Sequence, residues 1–427
     1  MPEDAWRIVG GRPLRGMVKP SGSKNGGLPT LAATLLMDGE TVLHNVPRIA
    51  DVETMLGLLR SFGLTVGERE DGTLRITNRG IEMHSAPLEL VGRMRASHYI
   101  LGPVVAKLGR AEIPSPGGCA IGERPLDYIL CGLEALGCES RVEGGRVRVR
   151  CDRLTGGRVT LNPIYRSPGA TFIILMAASL AAGTTVIENA SFEPDVVTFC
   201  QFLASAGAQI EGAGTATLTV HGVSALSGAE HAINSDRLEA GTFLCAAAST
   251  RGEVTVENVT RAELAAIAGK LEEAGVALEQ SGTGLTGGCA GRPRGVDIVT
   301  EPFPDFPTDL QPPMAALLAT ADGRSSIREN IFDLRLQYAD ELLKMGANIR
   351  LLDARTAEIT GVPRLHGAEI EGHNIRDGAA LLVAALGAEG ESIVSGRRYV
   401  ARGYEAIEDK LRSLGAEIAG ERVVSEF

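Results

Sequence analysis

The stretch PGGCAIGERPLDY, residues 116 to 128, presents a cysteine in a setting that suits chemistry better than packing. Cys119 follows two glycines, and Arg124 and Asp127 come shortly after it. Glycines let the backbone bend and let a ligand approach closely, so the loop offers a nucleophilic or acidic thiol beside a cation. Taken alone, the stretch is equally compatible with a small residue in a surface turn.

Polar residues also open several segments that are otherwise apolar. A helix N-terminus carries unpaired N–H groups and the positive end of the helix dipole, so it attracts phosphates and carboxylates. We therefore expect an anion-binding site to which Lys24, Arg95 and Arg376 contribute charge. The alternative is a set of ordinary N-caps with solvated cations, an explanation that suffices for Ser167. The residues at these helix starts are Lys24, Asn25, Arg93, Arg95, Ser167, Gly169, Asp236, Arg237, Asp309 and Arg376.

Two of the candidate residues have a more specific context. Asp309 lies in DFPTDLQPP, where prolines fix the backbone, and a carboxylate inside a cationic cleft stays ionised and suits a general base. Its alternative role is a first-turn residue favoured by the helix dipole. Arg402, in YVARGYEAIEDK, is predicted at the start of a helix, where it either closes on a bound anion or remains solvated.

The elements that position these residues recur along the chain. Amphipathic segments with apolar residues at helical spacing end in glycine about every 70 residues, in phrases such as SFGLTV, SAGAQI and SLGAEI. Glycine just past the last helical turn is a typical C-cap. These glycines are Gly63, Gly137, Gly207, Gly275, Gly346 and Gly415.

A second glycine series runs out of phase with the first and joins an apolar helix to a strand. The two series predict six copies of a βαβαββ-type α/β unit, grouped as a lobe of residues 24–234 and a lobe of residues 1–23 plus 235–427. Helices that are apolar all round, such as GATFIILMAASLAA, are expected inside a unit. The alternative is a solenoid, although solenoids have shorter periods. The second series comprises Gly39, Gly109, Gly183, Gly252, Gly323 and Gly390.

Composition limits the class of protein. The 427 residues carry a net charge of −11, which argues against a nucleic-acid binder. The sequence contains no run of about 18 apolar residues, so it predicts no membrane span. Seven cysteines without a CxxC pair, and no histidine cluster, predict reduced thiols in the cytoplasm and no metal site. Cys131, Cys200 and Cys245 fall in predicted helices and are expected to be buried.

Taken together, the motifs PSGSKNGGLPTLAATLL, MRASHYILGPVVAKLG, PGGCAIGERPLDY, SDRLEAGTFL, FPTDLQ and ARGYEAIEDKLRSLGA resemble those of the UDP-N-acetylglucosamine enolpyruvyl transferase family. The resemblance covers nearly the whole chain, in order. It implies an inside-out α/β barrel in two lobes. It also implies transfer of the enolpyruvyl group of phosphoenolpyruvate to the 3-hydroxyl of UDP-N-acetylglucosamine, the first committed step of peptidoglycan synthesis. No metal or organic cofactor is implied.

The resemblance assigns roles residue by residue. Cys119 is implied as the acid that protonates the methylene carbon, and as the target of fosfomycin, an epoxide that mimics phosphoenolpyruvate. Asp309 is implied as the base. Lys24, Arg124 and Arg402, with Asn25, are implied to hold phosphoenolpyruvate, and Glu193 and Asp236 to lie near the site. Residues implied on the nucleotide-sugar side or elsewhere in substrate binding are Arg95, Arg124, Pro125, Leu126, Asp127, Tyr128, Ser167, Pro168, Gly169, Ile331, Arg335 and Arg376.

Several supporting residues depart from the family pattern while the chemical ones are kept. The alternative is therefore a related transferase whose acceptor is another nucleotide, for example UMP, in a secondary pathway. A sensor that lost turnover is a third hypothesis, but such a protein is expected to lose Cys119, Asp309 or a phosphate-binding cation. The departures are Ile129, Pro168, Leu336, Asn374, Asp377 and Ala401.

Overall fold

Residues 158–221 show the repeating unit once. A strand, Arg158–Thr160, leads into the helix Pro168–Ser179 and returns in the parallel strand Thr184–Glu188. An outer helix, Pro194–Ser205, and a hairpin then complete the βαβαββ order, with the hairpin antiparallel to the second strand. The predicted alternation of helices and strands is confirmed, and the chain is an α/β protein.

The computed structural model describes residues 4–70, 72–114 and 126–420. These residues form two units, one of residues 22–234 and one of residues 235–420 that also takes in residues 4–21. They are called here the 22–234 unit and the 235–420 unit. The first boundary between the units falls after Ser21, whereas the boundary predicted from the sequence lies after residue 23.

The 22–234 unit contains three sheets, each with a parallel contact on one side of its central strand and antiparallel pairing on the other. Its strands are Met37–His44, Thr65–Val66, Leu74–Asn78, Arg110–Pro114, Glu139–Glu143, Arg146–Arg150, Arg158–Thr160, Thr184–Glu188, Gln209–Glu211, Thr217–His221, Leu226–Ser227 and Glu230–Ala232. Its helices are Lys24–Ala33, Ala50–Ser61, Leu88–Val91, Leu101–Leu108, Asp127–Glu134, Pro168–Ser179 and Pro194–Ser205, with a 3₁₀ segment Arg95–Ile100.

The 235–420 unit repeats this plan with three four-stranded sheets. Its strands are Ala5–Val9, Arg15–Val18, Glu253–Val256, Ala277–Ser281, Gly284–Gly288, Ile298–Thr300, Arg324–Glu329, Asn348–Asp353, Thr356–Thr360, Glu369–Glu371, Glu391–Ser395 and Glu417–Ala419. Its helices are Arg237–Ser249, Ala265–Glu273, Gln311–Leu318, Tyr338–Lys344, Ile375–Gly387, Arg397–Val400 and Ile407–Ser413, with a 3₁₀ segment Thr308–Leu310.

Three helices pack against one another at the centre of the 235–420 unit: Arg237–Ser249, Gln311–Leu318 and Ile375–Gly387. Nearly all of their residues are buried, as are those of Pro168–Ser179 in the other unit. The prediction that helices apolar on every side lie inside a unit is therefore confirmed. Four of the candidate residues lie at the N-terminal ends of these helices: Ser167, Asp236, Asp309 and Arg376.

Candidate active site

Asp309 is held between two buried arginines of the 235–420 unit. It lies in the 3₁₀ turn Thr308–Leu310, directly before the helix Gln311–Leu318. One carboxylate oxygen accepts a hydrogen bond from Arg335, and the other lies 3.1 Å from the Nη2 atom of Arg376. The side chain of Asp309 is 25 % exposed, whereas those of the two arginines are 2 % and 6 % exposed. The carboxylate is therefore positioned by two cations and remains partly exposed.

The turn that carries Asp309 is fixed by a buried glutamate that the sequence analysis did not identify. One oxygen of Glu329 accepts a hydrogen bond from the Thr308 hydroxyl at 3.0 Å. Its other oxygen accepts from the backbone N–H groups of Ile331 and Phe332, at 2.9 and 3.0 Å. Glu329 thus ties the Ile331 segment to the Asp309 turn. Its only sequence signal is a carboxylate at the end of the strand Arg324–Glu329.

Arg376 lies in the first turn of the helix Ile375–Gly387, as predicted, but it has partners within the protein. Its Nη1 atom donates to the Tyr404 hydroxyl at 3.1 Å, and that hydroxyl also lies 2.9 Å from the Thr242 hydroxyl. Burial is the largest single influence and lowers the pKa of Arg376, but Asp309, Tyr404 and Asp236 together outweigh it, so the pKa is raised. Arg376 is therefore a permanent cation that orients Asp309.

The N-cap of the same helix contains two of the departures from the family pattern. Asn374 accepts hydrogen bonds from the backbone N–H groups of Arg376 and Asp377, both at 3.0 Å, and donates through its side chain to the Asp377 carboxylate. Burial raises the pKa of Asp377 to about 6, although the charge of Arg335 opposes this. Among the described residues, the second oxygen of Asp377 has no hydrogen-bond partner. This chain therefore places a buried carboxyl group close to the Asp309–Arg335 pair.

Lys24 is paired with a carboxylate inside the 22–234 unit. It begins the helix Lys24–Ala33, and its Nζ atom lies 2.6 Å from a carboxylate oxygen of the buried Asp51. The preceding residue, Ser23, caps this helix and donates its hydroxyl to Asp195 at 2.6 Å. Lys24 is thereby held in one orientation at the helix start. Asn25, the next residue, is half-buried.

Arg95 and Ser167 lie at helix starts in the same unit. Arg95 opens the 3₁₀ segment Arg95–Ile100, and its carbonyl oxygen is hydrogen bonded to the His98 ring. Ser167 is the N-cap of Pro168–Ser179 and accepts from the Ala170 N–H at 3.3 Å, so its predicted capping role is confirmed. An added Cβ at Gly169 would lie 3.5 Å from the His98 ring, which places the two segments side by side.

The segment after the glycine loop starts a short helix. Leu126 precedes the helix Asp127–Glu134, and the Tyr128 hydroxyl accepts a hydrogen bond from the Asn162 side chain at 3.2 Å. Three further candidates, Cys119, Arg124 and Pro125, lie outside the described residues.

Two expectations are wrong in detail. Cys131 is exposed, because Asp127, Cys131 and Glu134 form the outward stripe of their helix, whereas Cys200 and Cys245 are buried as predicted. Arg402 lies in the turn between the helices Arg397–Val400 and Ile407–Ser413, not in the first turn of the second helix.

The described residues show no feature of a metal centre or of a membrane span. In that part of the chain, no group of three or more histidine, cysteine, aspartate or glutamate side chains has an arrangement that fits a metal ion. No helix within the described ranges is long and apolar enough to cross a bilayer.

The sequence was compared with known protein families and proteins. The sequence model of EPSP synthase (3-phosphoshikimate 1-carboxyvinyltransferase) matches residues 8–411. A UDP-N-acetylglucosamine 1-carboxyvinyltransferase of Dinoroseobacter shibae is 47 % identical over 96 % of this chain and 97 % of its own. Another enzyme with this name, from Caldanaerobacter subterraneus, is 46 % identical over 95 % of this chain and 97 % of its own.

Solved structures give the same family. The crystal structure of the enolpyruvyl transferase NikO from Streptomyces tendae superimposes with a TM-score of 0.88 at 25 % identity, covering 98 % of this chain and 99 % of its own. The match to the sequence model and the identity to named relatives extend over nearly the full chain. The protein therefore belongs to the enolpyruvyl transferase family, on the branch of the UDP-N-acetylglucosamine 1-carboxyvinyltransferases.

Proposed function

We propose that this enzyme transfers the enolpyruvyl group of phosphoenolpyruvate to the 3-hydroxyl of UDP-N-acetylglucosamine and releases inorganic phosphate. The printed names of relatives 46–47 % identical over nearly the full length support this assignment. The structural observation that carries the chemistry is Asp309, partly exposed and held between Arg335 and Arg376. The product would commit the sugar nucleotide to peptidoglycan synthesis in the cytoplasm.

The reaction needs an acid and a base at the same time. The methylene carbon C3 of phosphoenolpyruvate gains a proton while the sugar hydroxyl loses one and bonds to C2. The tetrahedral ketal then breaks its C2–O bond to phosphate and loses a proton from C3, which restores the C2–C3 double bond and forms the enol ether product. In this proposal Cys119 donates the proton to C3 and Asp309 accepts the hydroxyl proton. Neither a metal nor an organic cofactor is required.

The remaining candidates bind and orient the substrates. Lys24, Arg124 and Arg402, with Asn25, would neutralise the phosphate and carboxylate of phosphoenolpyruvate. Lys24 suits this role because Asp51 and the helix start fix its position. The residues proposed to contact the nucleotide sugar or support its binding are Arg95, Arg124, Pro125, Leu126, Asp127, Tyr128, Ser167, Pro168, Gly169, Ile331, Arg335 and Arg376.

We further propose the two-lobed, inside-out α/β barrel, with three repeats in each lobe. The six sheets with a shared strand plan support it, as does the TM-score of 0.88 to an enolpyruvyl transferase. A plain nucleotide such as UMP is the alternative acceptor. It is less favoured, because the relatives that are 46–47 % identical over nearly the full chain are named for UDP-N-acetylglucosamine.

The test is phosphate release from phosphoenolpyruvate with UDP-N-acetylglucosamine, UDP-glucose, UMP or shikimate 3-phosphate as the acceptor. Fast release with UDP-N-acetylglucosamine alone is the expected result. Release only with UMP would show that UMP is the acceptor. Ile129, Pro168 and Asn374 would then indicate a changed acceptor pocket. Absence of release with every acceptor would contradict the proposed activity.

A further inference from the structure

Two cysteines lie opposite each other at the base of a hairpin in the 22–234 unit. The strands Glu139–Glu143 and Arg146–Arg150 are antiparallel, with Glu139 opposite Arg150. Extending this register by one residue brings Cys138 opposite Cys151, and the two thiols are close enough to interact. Neither is used by the proposed transferase chemistry.

The backbone geometry of this cysteine pair suits a disulfide. The Cys138 N–H donates to the Leu133 carbonyl at 3.1 Å, and the Cys151 N–H donates to the Gly109 carbonyl at 2.8 Å. The two cysteines therefore form a non-hydrogen-bonded pair, in which the Cα atoms of opposite residues lie about 4.5 Å apart. That separation falls within the range that a disulfide spans.

The two thiols also interact directly. Burial is the main cause that raises the pKa of Cys138, and the neighbouring Cys151 adds to it through charge and a side-chain hydrogen bond. Burial likewise raises the pKa of Cys151, while the hydrogen bond to Cys138 opposes that effect. Cys138 is buried and Cys151 is only partly buried, so a reactant from solvent meets Cys151 first.

Cys151 lines a cleft of about 810 Å³ whose charged residues are mostly cationic. Arg110 and Arg150 stand directly opposite each other in neighbouring strands, a like-charge pairing that costs stability. Among the residues that the structure describes, none forms an ion pair with Arg110, Arg150 or Arg153. The acidic residue of the cleft is Asp152, and Lys107 is paired with Asp38 at 2.8 Å.

Helix geometry does not account for all of these charges. The helix Leu101–Leu108 ends at this cleft, and its dipole favours a cation in the last turn, which explains Lys107. Within the described ranges, the guanidinium groups of Arg110, Arg150 and Arg153 remain without a carboxylate partner. They favour an anionic reactant beside Cys151.

We propose that Cys151 undergoes thiol–disulfide exchange with an anionic low-molecular-weight disulfide, and that Cys138 resolves the product to a Cys138–Cys151 disulfide. In the first step the Cys151 thiolate attacks the small disulfide R–S–S–R, forming Cys151–S–S–R and releasing R–S⁻. The Cys138 thiolate then attacks the Cys151 sulfur and releases a second R–S⁻. The protein loses two electrons and two protons, and the small disulfide is reduced to two thiols.

The test treats the full-length enzyme with glutathione disulfide, which carries net negative charge, at alkaline pH to increase the thiolate fraction of Cys151, whose pKa is raised. Digestion with trypsin, followed by mass spectrometry without reduction, maps the cysteines. Cleavage after arginine separates Cys138 from Cys151, so a disulfide appears as two linked peptides. The expected result is this linked pair, formed ahead of any modification at the exposed Cys131. Free Cys138 and Cys151 beside modified Cys131 would overturn the proposal.

Two substitutions test the order of the two proposed steps, attack by Cys151 and resolution by Cys138. Cys138→Ser is expected to accumulate one glutathione on Cys151, because the resolving thiol is missing. Cys151→Ser is expected to leave Cys138 unmodified, since Cys138 is buried. Glutathione accumulating on Cys138 in the second variant would reverse the assigned roles and refute the mechanism.

A charge reversal tests the cationic cleft. Arg153→Glu is expected to slow the reaction with glutathione disulfide about tenfold. The rate with the neutral bis(2-hydroxyethyl) disulfide should stay the same. Arg141→Glu, an exposed change on the same hairpin outside the cleft, is the matched control. Equal slowing with both disulfides would show that charge does not recruit the reactant.

Discussion

At the residue scale, the geometry around Asp309 predicts that its substitution impairs the chemical step much more than acceptor binding. Asp309→Asn keeps the shape and one hydrogen-bond acceptor but removes the negative charge between Arg335 and Arg376. We expect kcat to fall about 10²–10⁴-fold, the usual contribution of a general base, with a much smaller change in the KM of the acceptor. Steady-state kinetics measure both values.

The control for that variant is Asp305→Asn, an exposed aspartate in the same loop. It should leave kcat unchanged. If Asp309→Asn weakened acceptor binding as strongly as turnover, Asp309 would be a binding residue and the assigned base would be wrong.

Cys119 gives a second prediction at this scale, which rests on the sequence. Cys119→Ala should lose nearly all turnover, whereas Cys119→Asp should retain part of it, because a carboxylic acid also donates a proton. Fosfomycin should alkylate Cys119 in the unchanged enzyme and inactivate it. Peptide mapping locates the adduct, and an adduct on any other cysteine would contradict the site.

Single residues also show what the sequence does and does not reveal. The helical periodicity correctly places Arg376 at a helix start. Its ionic partner Asp309 lies 67 positions away, so the sequence pattern does not reveal that this predicted anion-binding cation also pairs with a carboxylate of the chain. The role of Glu329 was likewise not predictable from the sequence, because it consists of contacts between separate turns.

At the scale of the element, the N-terminus of the helix Ile375–Gly387 predicts a pH dependence. Burial raises the pKa of Asp377 to about 6 from an ordinary 3.8. The folded state therefore holds this proton at pH values where the unfolded chain has lost it. The associated stability is complete below about pH 4, falls as the pH rises toward 6, and is absent above that value.

Asp377→Asn removes this ionisation while its amide oxygen can still accept from Asn374. The variant should therefore be more stable than the unchanged enzyme at pH 7, by up to about 3 kcal/mol. Its stability should depend less on pH between 4 and 6. Urea denaturation across this pH range measures both effects, with the exposed Asp340→Asn as the control. A destabilised variant at pH 7 would mean that the ionised carboxylate supports Arg335.

Glycine spacing correctly predicts the helix ends, but it does not explain the glycine before one strand, Gly252. Every glycine of the first series has a positive φ, as a helix C-cap requires. In the second series Gly252 differs, because the preceding Arg251 takes the positive φ. Gly252 is required for another reason, since a Cβ there would lie 2.0 Å from the Leu14 carbonyl oxygen. That approach involves a distant strand, which a local pattern does not encode.

At the scale of the whole molecule, the sequence indicates the six-fold repeat and the grouping of residues 1–23 with residues 235–427, but not the strand pairing that joins the two ends. The strand Ala5–Val9 pairs between Glu391–Ser395 and Glu417–Ala419, so the first strand of the chain completes the last sheet. The strand Arg15–Val18 likewise joins Glu253–Val256. Periodicity gives the number of units, whereas the pairing of the chain's two ends depends on long-range register.

This closure predicts that removing residues 1–10 affects one unit. The loss would leave Glu391–Ser395 and Glu417–Ala419 without their shared partner, and would remove Trp6, which is 2 % exposed and lies under the Arg397 guanidinium at 5.3 Å. We expect hydrogen exchange to accelerate in these two strands while the sheets of the 22–234 unit keep their protection. Trp6→Phe, which keeps the strand and most of the buried ring, is the matched control and should retain protection in both units. Equal loss of protection throughout the truncated chain would mean that the two units do not unfold separately. Unchanged protection of both strands would refute a structural role for the N-terminal strand.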